Sequence, residues 1–170
     1  IMILVSSCES GNESSKIDYL PFQSEQGGKW GLISTGGEIL FKDEFENEPT
    51  VSRNGRFLVK NKNNRWEIYT AEAKPQKIGK EYVSAGAFIE NIAPVTEANK
   101  PVEFIDLDGN TVFNLKKVDG KPVTAVYDFS EGIARFKCND DIGCIDKNGK
   151  VIIKPNYYAM SPCSDGKIVA

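Results

Sequence analysis

Histidine is absent from the 170-residue chain. That removes the usual general base near neutral pH and the commonest metal ligand. Ser-His-Asp and Cys-His mechanisms are excluded with it, as are His-ligated zinc sites. Clustered positive charge is lacking too. The 21 Lys and Arg are scattered among 24 Asp and Glu, Lys116-Lys117 is the only adjacent pair, and the formal net charge is −3. A nucleic-acid footprint needs a basic patch, so no nucleic-acid partner is expected. There is no Gly-rich phosphate loop and no long amphipathic helical pattern. The four cysteines form no CxxC pair, which leaves no zinc motif; no metal and no cofactor are expected. A pair of carboxylates is the one hydrolytic toolkit left open, because glycoside hydrolysis needs only Asp and Glu.

What is present begins with an apolar run at residues 1–5, followed by Ser6-Ser7-Cys8 and the polar stretch Glu9-Ser10-Gly11-Asn12-Glu13-Ser14-Ser15. Five apolar residues are far short of the roughly 20 that span a bilayer. An apolar run, two small residues and a cysteine resemble the lipobox of bacterial lipoproteins, where the signal is cut before a cysteine that then carries lipid. The basic start of such a signal is missing, and the chain is read as cut at its beginning. The resemblance implies a truncated signal peptide, lipobox and polar tether over residues 1–16. Cys8 is then the lipid-attachment residue, and the location is the bacterial cell envelope, on the periplasmic or surface face of the outer membrane. A plain short strand followed by a loop is the alternative.

Residues 17–170 repeat. Trp30-Gly31-Leu32-Ile33, Trp66-Glu67-Ile68-Tyr69, Val102-Glu103-Phe104-Ile105 and Ile142-Gly143-Cys144-Ile145 start 36, 36 and 40 residues apart. A turn and a second apolar run follow each: Ser34-Thr35-Gly36-Gly37 before Ile39, Asp106-Leu107-Asp108-Gly109-Asn110 before Val112, and Asp146-Lys147-Asn148-Gly149-Lys150 before Val151. Asp-Gly and Asn-Gly between apolar runs predict hairpins with two-residue type I′ turns. A third strand precedes each signature, over Tyr19–Phe22, Phe57–Val59, Ile92–Val95 and Ile133–Phe136. Proline in two of these runs predicts edge strands or strand starts. The expected fold is all-β, a tandem array of about four antiparallel meanders of three or four strands. With period-two alternation, Trp30 and Leu32 share one face and Gly31 and Ile33 the other. Apolar groups on both faces require each unit to pack against neighbours. The array is either open and solenoid-like, which is favoured, or propeller-like. Gly166 to Ala170 open a further strand, read as a repeat cut short; the alternative is that this strand pairs back as a closure.

These residues resemble the WG-repeat family of bacterial proteins. Trp30-Gly31, Gly143, the run Ile145-Asp146-Lys147-Asn148-Gly149-Lys150-Val151-Ile152 and Phe129-Ser130-Glu131-Gly132-Ile133-Ala134 carry the likeness, and Cys163-Ser164-Asp165-Gly166 repeats the last element. Trp30, Gly31, Trp66, Gly132, Gly143 and Gly149 are the structural signature. The resemblance implies a β-repeat architecture used for binding, with no common catalytic activity.

Cys144 and Cys163 fall on positions held by Leu32 and Phe129 in other copies and are expected to be buried as small apolar residues. Cys138 and Cys144 flank the Asn139-Asp140 turn. A two-residue turn places Cys138 opposite Asp141 and Cys144 opposite Arg135, which is poor disulfide geometry. Asp106-Leu107-Asp108-Gly109 has the look of a calcium loop, but its twelfth residue is Lys117 rather than Glu, so a hairpin turn is expected. The acidic run Asp43 to Glu48 reads as a solvated loop.

The function expected is that of a lipid-anchored envelope protein, not an enzyme, whose repeat surface binds a protein or glycan partner. Tyr82, Tyr127, Tyr157 and Tyr158 are the candidate contact residues, because aromatics dominate binding hot spots. For each of them a place in the core is the competing reading. The functional alternatives are an accessory region of a larger envelope enzyme, or a carboxylate-dependent glycan hydrolase.

Overall fold

The computed structural model describes residues 17–170 and, by backbone alone, residues 2–4; Cys8 and the proposed tether lie outside the described residues. The regular structure is all β. A first strand, β1 (Met2–Leu4), precedes unit 1, which comprises β2 (Ile17–Gln23), β3 (Trp30–Ser34) and β4 (Ile39–Phe45). Unit 2 is β5 (Ser52–Arg53), β6 (Arg56–Lys60), β7 (Trp66–Thr70) and β8 (Lys77–Tyr82). Unit 3 is β9 (Ser84–Ala85), β10 (Ile92–Thr96), β11 (Glu103–Asp106) and β12 (Thr111–Asn114). After β13 (Lys117–Val118), unit 4 is β14 (Lys121–Ser130), β15 (Ile133–Cys138), β16 (Asp141–Asp146) and β17 (Val151–Tyr157), and β18 (Lys167–Val169) follows. All pairings are antiparallel between sequence neighbours, except that β2 also pairs with β5 and β1 with β18. Four signature strands thus form four units, the later three with four strands each.

Strand alternation gives every unit two apolar faces. On the face turned toward the next unit, Leu58 pairs with Ile68 and Ile68 with Ile78. These residues pack with Tyr82 against Phe88, Ala93, Val95 and Ile105 of unit 3. On the face turned back, Phe57 and Val59 meet Leu32 and Phe41 of unit 1. The next two seams repeat the arrangement. Ile92 and Phe104 of unit 3 pack on Ala134, Phe136, Cys138 and Ile145 of unit 4, while Ile133, Ile142 and Cys144 pack on Met160, Cys163 and Ile168. The third signature position (Leu32, Ile68, Phe104, Cys144) therefore faces forward in every copy and is fully buried. The core is a series of seams between units, and the packing anticipated for Trp30–Ile33 is the packing found.

Two devices fix neighbouring units to one another. Units 2, 3 and 4 and the strand β18 are each entered through a tight turn with two consecutive positive-φ residues: Asn54-Gly55, Glu90-Asn91, Glu131-Gly132 and Asp165-Gly166. An acidic side chain of one unit reaches the corresponding turn of the next. Gly55 N donates to Asp18 Oδ2 at 2.8 Å, Gly132 N to Glu90 Oε2 at 2.9 Å, and Asp165 N and Gly166 N to the two oxygens of Glu131 at 2.8 and 2.9 Å. Turn amides that would otherwise lack partners at the seams are bonded in this way to charged acceptors. The second device is the turn after the signature, where a Cβ on Gly109 would lie 2.7 Å from Ile78 Cγ2, and one on Gly149 2.5 Å from Phe113 Cδ2. These glycines let a turn lie directly against the outer strand of the preceding unit.

Two expectations are corrected. The Asp108-Gly109 and Asn148-Gly149 hairpins are not two-residue type I′ turns. Only the glycine has positive φ, and Gly109 N donates to Asp106 O and Gly149 N to Asp146 O, each at 3.0 Å. This is a turn followed by a left-handed residue, the three-residue hairpin. Pro21 and Pro94 lie in strands with neighbours on both sides, not on edges. They are tolerated because β5 pairs with β2 only at Ile17 and Tyr19, and because Pro94 needs only its carbonyl, which accepts from Gly86 N. The last strand, β18, pairs antiparallel with β1, Ile168 standing opposite Ile3.

Candidate functional site

The signature glycine has a steric cause. Gly31 pairs across the strands with Phe22, and Gly143 with Phe136. A Cβ at Gly31 would fall 2.2 Å from Phe41 O and 2.7 Å from the Phe22 ring; at Gly143 it would fall 2.5 Å from Ile153 O and 2.8 Å from the Phe136 ring. The aromatic ring covers the glycine, and a bulged outer strand closes the other side. Where the second position is Glu, the partner is smaller: Glu67 pairs with Val59 and Glu103 with Val95. Gly goes with Phe and Glu goes with Val. What looks in sequence like erosion of the motif is a paired exchange. The signal was available in the strand before each signature, but it needs the register to be read.

The exchange in unit 2 opens a cleft of about 220 Å³ at the seam with unit 1, lined among others by Phe45, Asn47, Val59, Lys60, Glu67 and Tyr69. Glu67 accepts from Lys77 Nζ at 2.8 Å, Tyr69 Oη at 2.9 Å and Asn61 Nδ2 at 3.2 Å. Burial works against its ionisation, but the bonds from Lys77, Tyr69 and Asn61 outweigh it and hold its pKa below the ordinary 4.5. The same burial and the Glu67 bond push the Tyr69 hydroxyl up, and the bond to Glu67 raises Lys77. Beside the cleft, Lys60 Nζ stands 5.1 Å from the centroid of the Trp66 ring. The carboxylate is occupied by three donors from its own unit, so it holds β7 and β8 of unit 2 together beside the cleft.

The four candidate tyrosines separate. Tyr82 is a correction: it is 3% exposed and belongs to the seam between units 2 and 3, opposite Trp66. Its ring fills the forward face at the end of β8, so it is not part of any contact surface. Tyr157 is half-buried against the last seam. Tyr127 is exposed and stacks with the Arg135 guanidinium, 4.7 Å from its centroid, while Tyr158 is 87% exposed. Tyr127 and Tyr158 are the residues left for contact. Among the signature residues, Trp30 and Trp66 are half-buried, Gly31 and Gly143 are buried under rings, and Gly132 and Gly149 sit in the turns.

The register of the fourth unit pairs Cys138 with Asp141 and Cys144 with Arg135, and both thiols are free. Burial pushes the Cys144 thiol up to about 11 despite the nearby Arg135, and raises Cys138 as well. Neither supplies a thiolate at neutral pH. Cys163 is buried, but it is disulfide-bonded and so is not the thiol that its place in the repeat suggested. Asp106 is a turn organiser: its Oδ1 accepts from Asp108 N and Asn110 N at 2.9 Å, and Asp146 does the same for Asn148 and Lys150. No group of three or more His, Cys, Asp or Glu side chains among the described residues is placed to hold a metal ion.

Comparison with known proteins bears on this repeat. Residues 104–140 and 142–170 match the family model of the WG containing repeat. The matched stretch, in the C-terminal part of the chain, is similar to WG repeats. Units 1 and 2 lie outside the matched stretch, yet they share its register and its seam packing. No curated protein matches the chain. Among solved structures, the crystal structure of the computationally designed Ika8 protein is similar in fold, with a TM-score of 0.50 at 15% identity. The likeness covers 81% of this chain and 46% of that one, so the chain spans less than half the length of the designed protein.

The Gly–Phe and Glu–Val pairs are expected to be coupled. Val59→Phe and Glu67→Gly should each destabilise by about 1–2 kcal/mol, through overpacking or through loss of the Glu67 bonds and a glycine in a strand. The double variant, which recreates the WG pair, should be more stable than additivity predicts by about 1 kcal/mol in denaturant unfolding; strict additivity would refute the pairing. The depressed pKa of Glu67 sets a pH dependence. Its stabilisation is fully present above the ordinary 4.5 and is lost as pH falls through the lower folded-state value. Melting of wild type and Glu67→Gln from about pH 7 to about pH 3 should therefore show a wild-type advantage that disappears on the acid side.

Proposed function

We propose that this chain is a non-catalytic binding protein of the bacterial cell envelope, lipid-anchored through Cys8, whose WG-repeat surface holds a protein or glycan partner. The observation that carries the reading is how the chemically capable groups are used. Glu67 is saturated by three donors, Glu90 and Glu131 bind turn amides of the next unit, Asp106 and Asp146 bind their own turns, and Cys138 and Cys144 are buried thiols. Aromatic surface, in contrast, is left open at Tyr127 and Tyr158. Such rings present large contact areas with little entropy to lose. The lipobox-like start supports an anchor at Cys8, which would hold the array at a membrane surface through the polar tether.

The test has two readouts in cells that process lipoproteins. Wild type is expected to incorporate labelled fatty acid and to partition with membranes, and Cys8→Ser to do neither. Cross-linking in envelope fractions should recover a partner with wild type, and the yield should fall about tenfold with Tyr127→Ala/Tyr158→Ala. A soluble, unlabelled wild type would refute the anchor. Partner recovery unaffected by the tyrosine changes would refute the contact surface.

A further inference from the structure

Units 2, 3 and 4 each bury a backward face under the preceding unit, and unit 1 has the same face without a cover among the described residues. The equivalences follow from register. Leu20 occupies the place of Phe57, Ala93 and Ala134, and Ile33 that of Ile105 and Ile145. The counterparts of Leu20 are all 0% exposed, whereas Leu20 itself is 38% exposed; Ile39, opposite Ile33, is 50% exposed. Gly37 supplies a second observation. It has the positive φ of Gly109 and Gly149, yet a Cβ built there meets nothing within 4 Å, whereas the other two would strike the outer strand of the unit behind them. Unit 1 therefore keeps the apolar face that receives a neighbour in every later unit, and the turn that receives one in units 3 and 4.

At the other end of the array the complementary side is exposed. Ile168 of β18 points back into the last seam, so its neighbour Val169 points forward, and it is 59% exposed. Tyr158, 87% exposed, lies in the segment that leads from β17 to β18. Lys167 shares the forward side of β18 with Val169, and an exposed Glu38 adjoins Ile39. The apolar ends match in character, and the charges beside them are opposite.

We propose that these two end faces bind each other between copies of this chain, head to tail. The forward end of one molecule then covers Leu20, Ile33 and Ile39 of the next, continuing the seam that already joins units within the chain. A contact of this kind is heterologous, so it builds closed rings or open filaments. It is independent of the lipid anchor, and at Tyr158 it competes with the envelope partner proposed above.

Sedimentation velocity on the full chain carrying Cys8→Ser tests the proposal without acyl chains. From about 1 µM to about 100 µM the mean mass should rise to at least twice the monomer. Leu20→Lys/Ile39→Lys blocks one end and Tyr158→Asp/Val169→Lys the other. All four sites are exposed, so the circular dichroism and melting midpoint of the variants should match the parent. Either variant alone should remain monomeric, and their mixture should form dimers and nothing larger, because one intact pair of ends remains. A parent that stays monomeric throughout overturns the proposal. So does association that survives the end-blocking changes, or a mixture that fails to dimerise.

Discussion

Each sheet in this chain is apolar on both sides, and that constraint governs the rest of the structure. A unit such as β9–β12 presents Ala93, Val95 and Ile105 backward and Ile92 and Phe104 forward. Neither set is shielded within the unit itself, so the unit gains most of its burial from its neighbours. The chain must then place successive sheets face to face at close range, and the recurring residues serve that placement. Glycine under a Phe ring lets the strand sit flat, a glycine in the following turn lets the turn touch the preceding unit, and acids at Asp18, Glu90 and Glu131 hold the next entry turn.

The seams are not uniform, and the differences follow from which residue fills each place. The first is dominated by rings: Phe57 lies within 6 Å of Phe41, Phe45 and Tyr69, centroid to centroid. The third stacks Phe104 on Phe113 at 4.5 Å with Phe129 set edge-on. The last is built from Cys144, Met160, Cys163 and Ile168, smaller and more adaptable groups. Ser52 stands where Phe88, Phe129 and Cys163 stand in the other units, and its buried hydroxyl has no bonding partner among the described residues. A polar residue at an apolar place of the repeat marks the entry to unit 2 as the least optimised joint.

Much of this was legible in the sequence because the repeat compares each position with itself. Period and alternation placed Leu32, Ile68, Phe104 and Cys144 on one buried face, and the two-residue turn at Asn139-Asp140 set the pairing of Cys138 and Cys144. Turn type is ambiguous at Asp108-Gly109, since the dipeptide is compatible with two loop lengths and only the bonding of Asp106 separates them. No local pattern in the sequence tells a seam-filling ring such as Tyr82 from an exposed one. The Glu–Val exchange and the acid-to-turn bonds were hidden for a different reason: they join residues from about 8 to 42 positions apart. The proposed anchor at Cys8 and the identity of any partner rest on sequence motif and surface chemistry.

The central claim is that stability resides in seams between units. Phe104→Ala tests it most directly, with native-state hydrogen exchange read strand by strand. Phe104 belongs to unit 3 but is fully buried against unit 4, and its truncation should cost about 3–5 kcal/mol. The account predicts that protection falls in β15 and β16 as strongly as in β10 and β11, and least in β3. Loss confined to unit 3, with unit 4 as protected as before, would show that the units are stable on their own and would contradict it.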